Sequence, residues 1–98
     1  MRRRAARIDA NHVEVVQALR KVGYSVLSLA SLGKGCPDLL VGGHGVNLLM
    51  EVKDGKKPPS ARALTDDELT FLENWRGLSV VVTSIDEAIE MMRCACDA

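Results

Sequence analysis

Across residues 11 to 22 (NHVEVVQALRKV), apolar side chains fall at Val15, Val16, Leu19 and Val22, the spacing of one helical face. Gly23 follows as a C-terminal stop, so the pattern predicts a first amphipathic helix. Tyr24 to Leu29 (YSVLSL) then alternates and is rich in β-formers, which predicts a strand, and Ser31 to Gly35 (SLGKG) is turn material. Leu39 to Val41 and Val46 to Val52 are two further strands flanking Gly42-Gly43-His44-Gly45, a predicted hairpin.

Lys53 to Ala63 (KDGKKPPSARA) breaks the pattern with Gly55, Pro58 and Pro59, and reads as a loop stiffened by its prolines. Thr65 with Glu68 is a capping box, and Leu69, Phe71, Leu72 and Trp75 supply the apolar face of a second helix stopped at Gly77. Leu78 to Thr83 (LSVVVT) is almost wholly apolar, which predicts an interior strand covered on both faces. Ser84 and Glu87 form another capping box, opening a last helix with Ile85, Ala88, Ile89 and Met92 inward. The order is helix, three strands, helix, strand, helix, so the fold class is α/β, a central mixed sheet flanked by helices. There is no internal repeat and no low-complexity segment.

With 98 residues, a basic tail over 1 to 8 and a single domain over 9 to 98 are expected, and any large substrate must lie across the outside. No apolar run approaches the roughly 20 residues of a membrane span, and Arg2, Arg3 and Arg4 precede no signal-type apolar stretch. A cytoplasmic protein with no membrane partner is expected. Cys36, Cys94 and Cys96 lack a second ligand cluster for zinc and read as reduced thiols. Formal net charge is zero, which argues against indiscriminate nucleic-acid binding. The charges are nonetheless segregated. Arg2, Arg3, Arg4 and Arg7 open the chain, Lys53, Lys56, Lys57 and Arg62 gather in the middle, and acids collect from Asp66 to Glu90. Each cluster reads equally well as an ordinary solvated surface.

The hairpin carries the chemistry. In LLMEVK, alternation puts Leu49, Glu51 and Lys53 on one face and Leu48, Met50 and Val52 on the other. Closure through a two-residue turn at His44-Gly45 sets Asp38 opposite Glu51, and a turn two residues longer keeps them diagonal on the same face. Directly opposed Cβ atoms are about 4.5 to 5.5 Å apart, so two carboxylates there repel unless something positive lies between them. A hard cation such as Mg²⁺ takes one or two carboxylates together with waters and phosphate oxygens. Lys53, one pleat further along, is suited to hold a water or offset charge on a phosphate. The set suits metal-assisted phosphodiester hydrolysis. Taken singly, Asp38 could cap a turn after Pro37, and Glu51 could simply pair with Lys53.

Pro37-Asp38 on one strand and Glu51-x-Lys53 on the next resemble the PD-(D/E)XK nuclease motif, a short pattern that also occurs by chance. The surroundings add specificity: Gly33-Lys34-Gly35-Cys36-Pro37-Asp38-Leu39, then Glu51-Val52-Lys53-Asp54-Gly55-Lys56-Lys57-Pro58-Pro59-Ser60, then Leu64-Thr65 with Glu68 and Trp75. From about residue 9 to residue 91 the chain resembles the VRR-NUC family in its stand-alone form, found in phages and bacteria. That resemblance implies a restriction-endonuclease-like core similar to Holliday-junction resolvases. It also implies Mg²⁺- or Mn²⁺-dependent, structure-specific cleavage of DNA, and a homodimer in the cytoplasm of a bacterial or phage-infected cell. Carried over by position, Asp38 and Glu51 bind metal, the backbone carbonyl of Val52 adds a ligand, and Lys53 assists the attacking water. A further acid on the first helix is common in such nucleases, and Glu14 is the candidate.

Asn11 and Glu14 also have capping-box spacing, so Glu14 is either a cap or a ligand. Lys34, Lys56, Lys57 and Arg62 flank the site on loops and suit phosphate contact, or are solvated cations. His44 at the hairpin tip and His12 in the first helical turn read as structural. Gly43-x-Gly45 leads into a strand and makes no dinucleotide cradle, and Gly33-Lys34-Gly35 lacks P-loop spacing. Phe71 and Trp75 read as core or as a dimer face, and with aromatics at 3% stacking on unpaired bases is not the main binding mode. A small protomer gains from a two-fold dimer that matches the symmetry of a four-way junction. The competing expectations are a non-catalytic DNA-binding or partner-binding module of the same fold, and a nicking or restriction-type nuclease acting on linear duplex. Against the last, no extra helix is available to read bases.

Overall fold

The first helix, α1 (His12–Lys21), turns Val15 and Leu19 inward. It ends where Gly23 takes φ +105°, a conformation that costs glycine little. These statements come from a computed structural model in which residues 11–97 are described; the basic tail expected over 1 to 8 lies outside them. β1 (Ser25–Ser28) follows, then β2 (Leu39–Gly43) and β3 (Val46–Val52), joined by the two-residue turn His44-Gly45. Both turn residues have positive φ, +51° and +79°, as the type I′ hairpin turn requires. A 3₁₀ turn over Pro59–Arg62 leads to α2 (Asp66–Asn74), then β4 (Ser79–Val82) and α3 (Ile85–Asp97).

The four strands lie in the order β1-β2-β3-β4, the first three antiparallel and β4 parallel to β3. The α/β class, the mixed sheet and the element order agree with the pattern in the sequence. Pairing of Leu39 with Met50 and of Val41 with Leu48 puts Leu39, Val41, Leu48, Met50 and Val52 on one face. There they meet Val82, Val15 and Leu19 of α1, and Ala88 and Met92 of α3, in one core. Each buried Val, Leu or Met among them contributes about 1.5–3 kcal/mol through the apolar surface it removes from water. The opposite face carries Leu40, Leu49, Glu51 and Lys53.

Four expectations change. β4 is an edge strand and not an interior one: Val82 is buried, but Leu78 just before it is 50% exposed. Phe71 and Trp75 are not core. Their rings stack with centroids 5.3 Å apart, Trp75 stays 47% exposed, and α2 buries none of its residues. Asn11 makes no side-chain cap; its Nδ2 donates instead to the carbonyls of Lys53 (3.0 Å) and Thr83 (3.3 Å), tying the start of α1 to the ends of β3 and β4. At α3, Ser84 Oγ accepts the Glu87 N–H, but Glu87 Oε1 reaches past the cap to the N–H and hydroxyl of Thr83 (2.6 and 3.1 Å). The Thr65–Glu68 capping box at α2 is complete in both directions. No helix among the described residues is long and apolar enough to cross a membrane. Cys36, Cys94 and Cys96 are unpaired.

Candidate functional site

The turn at His44-Gly45 fixes the site. By pairing Gly43 with Val46 it sets the hairpin register, and one step beyond the Leu39–Met50 pair that register brings Asp38 to Glu51. Pro37 before it is fully buried, anchoring the entry to β2. Asp38 Oδ2 accepts the N–H of Val52 at 2.8 Å, so the carboxylate continues the ladder where the β2 backbone has left it. In an extended strand the N–H and C=O of one residue face the same neighbour. The Val52 carbonyl therefore points to the Asp38 side, as a metal ligand there requires. The next residue faces the other way: Lys53 N–H donates to the Val82 carbonyl of β4.

Glu51 is only 4% exposed. Lys53 Nζ lies 3.5 Å from Glu51 Oε2 and 2.9 Å from Oε1 of Glu68, on α2. Glu68 Oε1 also accepts the Thr65 N–H at 2.9 Å, so a single oxygen serves both the helix cap and the lysine. Three carboxylates, Asp38, Glu51 and Glu68, thus surround one ammonium. Their proton affinities show the imbalance. Burial, then the charges of Asp38 and Glu68, push the Glu51 carboxyl up to about 9, and a hydrogen bond to Glu68 adds to the shift. Burial also raises Asp38, against the pull of the Val52 N–H and the charge of His12. For Glu68, burial is outweighed by hydrogen bonds from Lys53, Thr65 and Glu51, and its carboxyl is lowered. Burial opposes the charge on Lys53, but the hydrogen bond and charge of Glu68, followed by Glu51, raise it. The Cys36 thiol is raised by burial and by Glu51 and Asp38. At neutral pH Glu51 therefore keeps its proton beside the Lys53 ammonium. A divalent cation with the Asp38 and Glu51 carboxylates as ligands is the charge that would replace that proton.

The structure brings Asp38, Glu51, Val52 and Lys53 together. Glu14 is exposed and lines a different feature, a cleft of about 630 Å³ whose walls include Asn11, Asp54, Lys56 and Asp86 but not Asp38, Glu51 or Lys53. The α1 residue whose charge acts on Asp38 is His12, which is 6% exposed. Its place was legible. His12, Val15 and Leu19 share one helical stripe, and Glu14 lies off it. The sequence marks Glu68 only as a cap; its second role depends on how α2 meets the sheet, which no local pattern records. Lys34, at φ +56°, lies in the loop entering β2, and Lys56, Lys57 and Arg62 follow β3. Both loops leave the hairpin at its open end, beside Asp38 and Lys53. Arg62 Nε donates to the Lys57 carbonyl at 2.8 Å, closing the loop that carries them. Comparison with family profiles, curated proteins and solved structures returned no match to this chain.

Proposed function

We propose that this chain is a metal-dependent, structure-specific DNA endonuclease of the PD-(D/E)XK type, resembling the VRR-NUC family and acting as a homodimer on branched DNA such as a four-way junction. The observation that carries it is the arrangement on one face of the hairpin. Two carboxylates, Asp38 and Glu51, meet at the register point, and the ammonium of Lys53 stands 3.5 Å from Glu51. Neighbouring acids normally find separate counter-charges in so small a protein, whereas here the second is kept neutral by a proton. Such a donor set fits Mg²⁺ or Mn²⁺, with Asp38, Glu51 and the Val52 carbonyl as the protein ligands.

When bound, such an ion supplies Lewis acidity at a phosphate and lowers the pKa of water. The chain's own residues do the rest. Asp38, locked by the Val52 N–H, keeps its carboxylate from swinging away. Lys53, fixed between Glu51 and Glu68, orients the attacking water and offsets charge developing on the phosphate. Lys34, Lys56, Lys57 and Arg62 neutralise the flanking backbone, a contribution that is independent of sequence.

The test is cleavage of a labelled four-way junction beside a linear duplex, each with Mg²⁺, with EDTA, and with the Glu51→Gln variant. Junction-selective, metal-dependent cutting that is lost in Glu51→Gln is the expected result. Binding without cutting in Mg²⁺ or Mn²⁺ overturns it in favour of a non-catalytic module. Equal cutting of the linear duplex overturns the structure-selective part alone.

A further inference from the structure

α2 is nine residues long and buries none of its side chains. Isolated helices shorter than about 12–15 residues are marginal in water, so something besides helix propensity must hold it. Its first turn makes two close contacts with the rest of the fold. The Thr65–Glu68 box closes it, and Glu68 reaches Lys53 at 2.9 Å. On the other side the Gly35 backbone lies so close that an added Cβ would sit 2.2 Å from the Asp67 carbonyl oxygen. The turn therefore touches both the loop leading to Asp38 and the lysine that ends the Glu51-x-Lys53 strand.

We propose that Glu68 is a positioning residue for Lys53, and that the same contact fastens α2 to the sheet, so that the lysine's orientation and the seating of the helix are one coupled unit. Lys53 has a long, many-rotamer side chain, and of its two carboxyl neighbours Glu68 is the nearer, at 2.9 Å against 3.5 Å to Glu51. The shared oxygen makes the dependence reciprocal. Without the ammonium, Glu68 caps the helix but no longer anchors it. Without the carboxylate, Lys53 has only the longer contact to Glu51. A capping role alone would leave α2 indifferent to what stands at position 53. The coupling deepens the reading of Lys53 as the group that orients the attacking water, and its rate consequence rests on that reading.

The test is amide hydrogen exchange followed by NMR on the metal-free full chain, comparing wild type, Lys53→Met, Glu68→Gln and the double variant. Lys53→Met is expected to speed exchange at Leu69 to Asn74 by about tenfold, the factor conferred by one charge-assisted hydrogen bond. Val15 to Leu19 and Ala88 to Met92 should be unaffected, which verifies that the fold is intact. Glu68→Gln keeps a capping oxygen, since Gln serves in capping boxes, but gives up the charge. The double variant should exchange no faster than Lys53→Met. Unchanged α2 exchange in Lys53→Met overturns the proposal, as does strict additivity in the double variant. Where the chain cuts DNA, Glu68→Gln is expected to lower kcat with KM for DNA unchanged. Coupled exchange in a chain that cuts nothing would leave the fastening standing and remove the nuclease reading.

Discussion

Replacing Glu51 by Gln should make the metal-free protein more stable at mildly alkaline pH, although it deletes a residue proposed to be essential. The buried Glu51 carboxyl is pushed from its ordinary 4.5 to about 9, so across the range between these values the folded chain holds a proton that the unfolded chain has released. The stabilising contribution of that protonated group is complete below about 4.5 and is lost as pH rises through about 9. Within the window each pH unit costs about 1.4 kcal/mol, so from about pH 6 to about pH 8 wild type loses roughly 2.7 kcal/mol through this group. Against the 5–15 kcal/mol typical of a small domain, such a loss is easily measured. Gln has nearly the same shape, donates to Glu68 as the protonated acid does, and does not titrate. Urea unfolding in EDTA at three pH values should give a wild-type curve that declines with pH and a Glu51→Gln curve flatter by about that amount. Parallel curves would refute the burial and charge argument for the cluster. With Mg²⁺ or Mn²⁺ replacing EDTA, wild type should gain stability by mass action and Glu51→Gln should gain almost none.

Because the ion must displace the Glu51 proton, metal affinity should rise by about tenfold per pH unit below about pH 9, measured by calorimetric titration; a flat profile would remove the link between proton and ion. Asp38→Asn should abolish cleavage while junction binding by gel shift stays within a few-fold, and wild-type cutting by that variant would end the assignment. Gly35→Ala should destabilise the protein and shift the first turn of α2, since φ there is +79° and its Cβ would collide with the Asp67 carbonyl. Thermal unfolding should show a loss of at least about 1 kcal/mol. His44→Asn creates the Asn-Gly pair that type I′ turns favour, and should raise the melting temperature slightly without affecting cleavage.

The hairpin was legible because its turn chemistry and its alternation agree. His44-Gly45 admits the two positive φ angles, and the strands on either side then have one register that buries Leu39, Val41, Leu48 and Met50 together. From that register Asp38, Glu51 and Lys53 follow without tertiary knowledge. β4 departs from the pattern because an apolar run records hydrophobicity and not position: Val80 to Val82 fit a covered strand, yet among the described residues no strand pairs on their outer side. Of the two readings of Phe71 and Trp75, core or dimer face, the structure sets aside the core for a related reason. Phe71 and Trp75 have the spacing of a core stripe but satisfy much of their contact by stacking on each other. Asn11 has the spacing of a cap, one of the two readings left open for the Asn11–Glu14 pair, but serves two strand carbonyls distant in sequence, which no local rule anticipates.

Those two Asn11 bonds also set a chronology for biosynthesis. At about 5–20 residues per second, the ribosome releases the complete hairpin, with all three charged residues of the proposed site, before β4 and Thr83 emerge. Until then β3 is paired on its β2 edge alone, the N–H of Lys53 lacks its Val82 partner, and Asn11 has only one of its two carbonyls. The nascent chain therefore carries its chemistry before it carries the closure that aims it. The stretch from Ser79 through α3, which emerges after the hairpin, completes both the sheet and the core against α1.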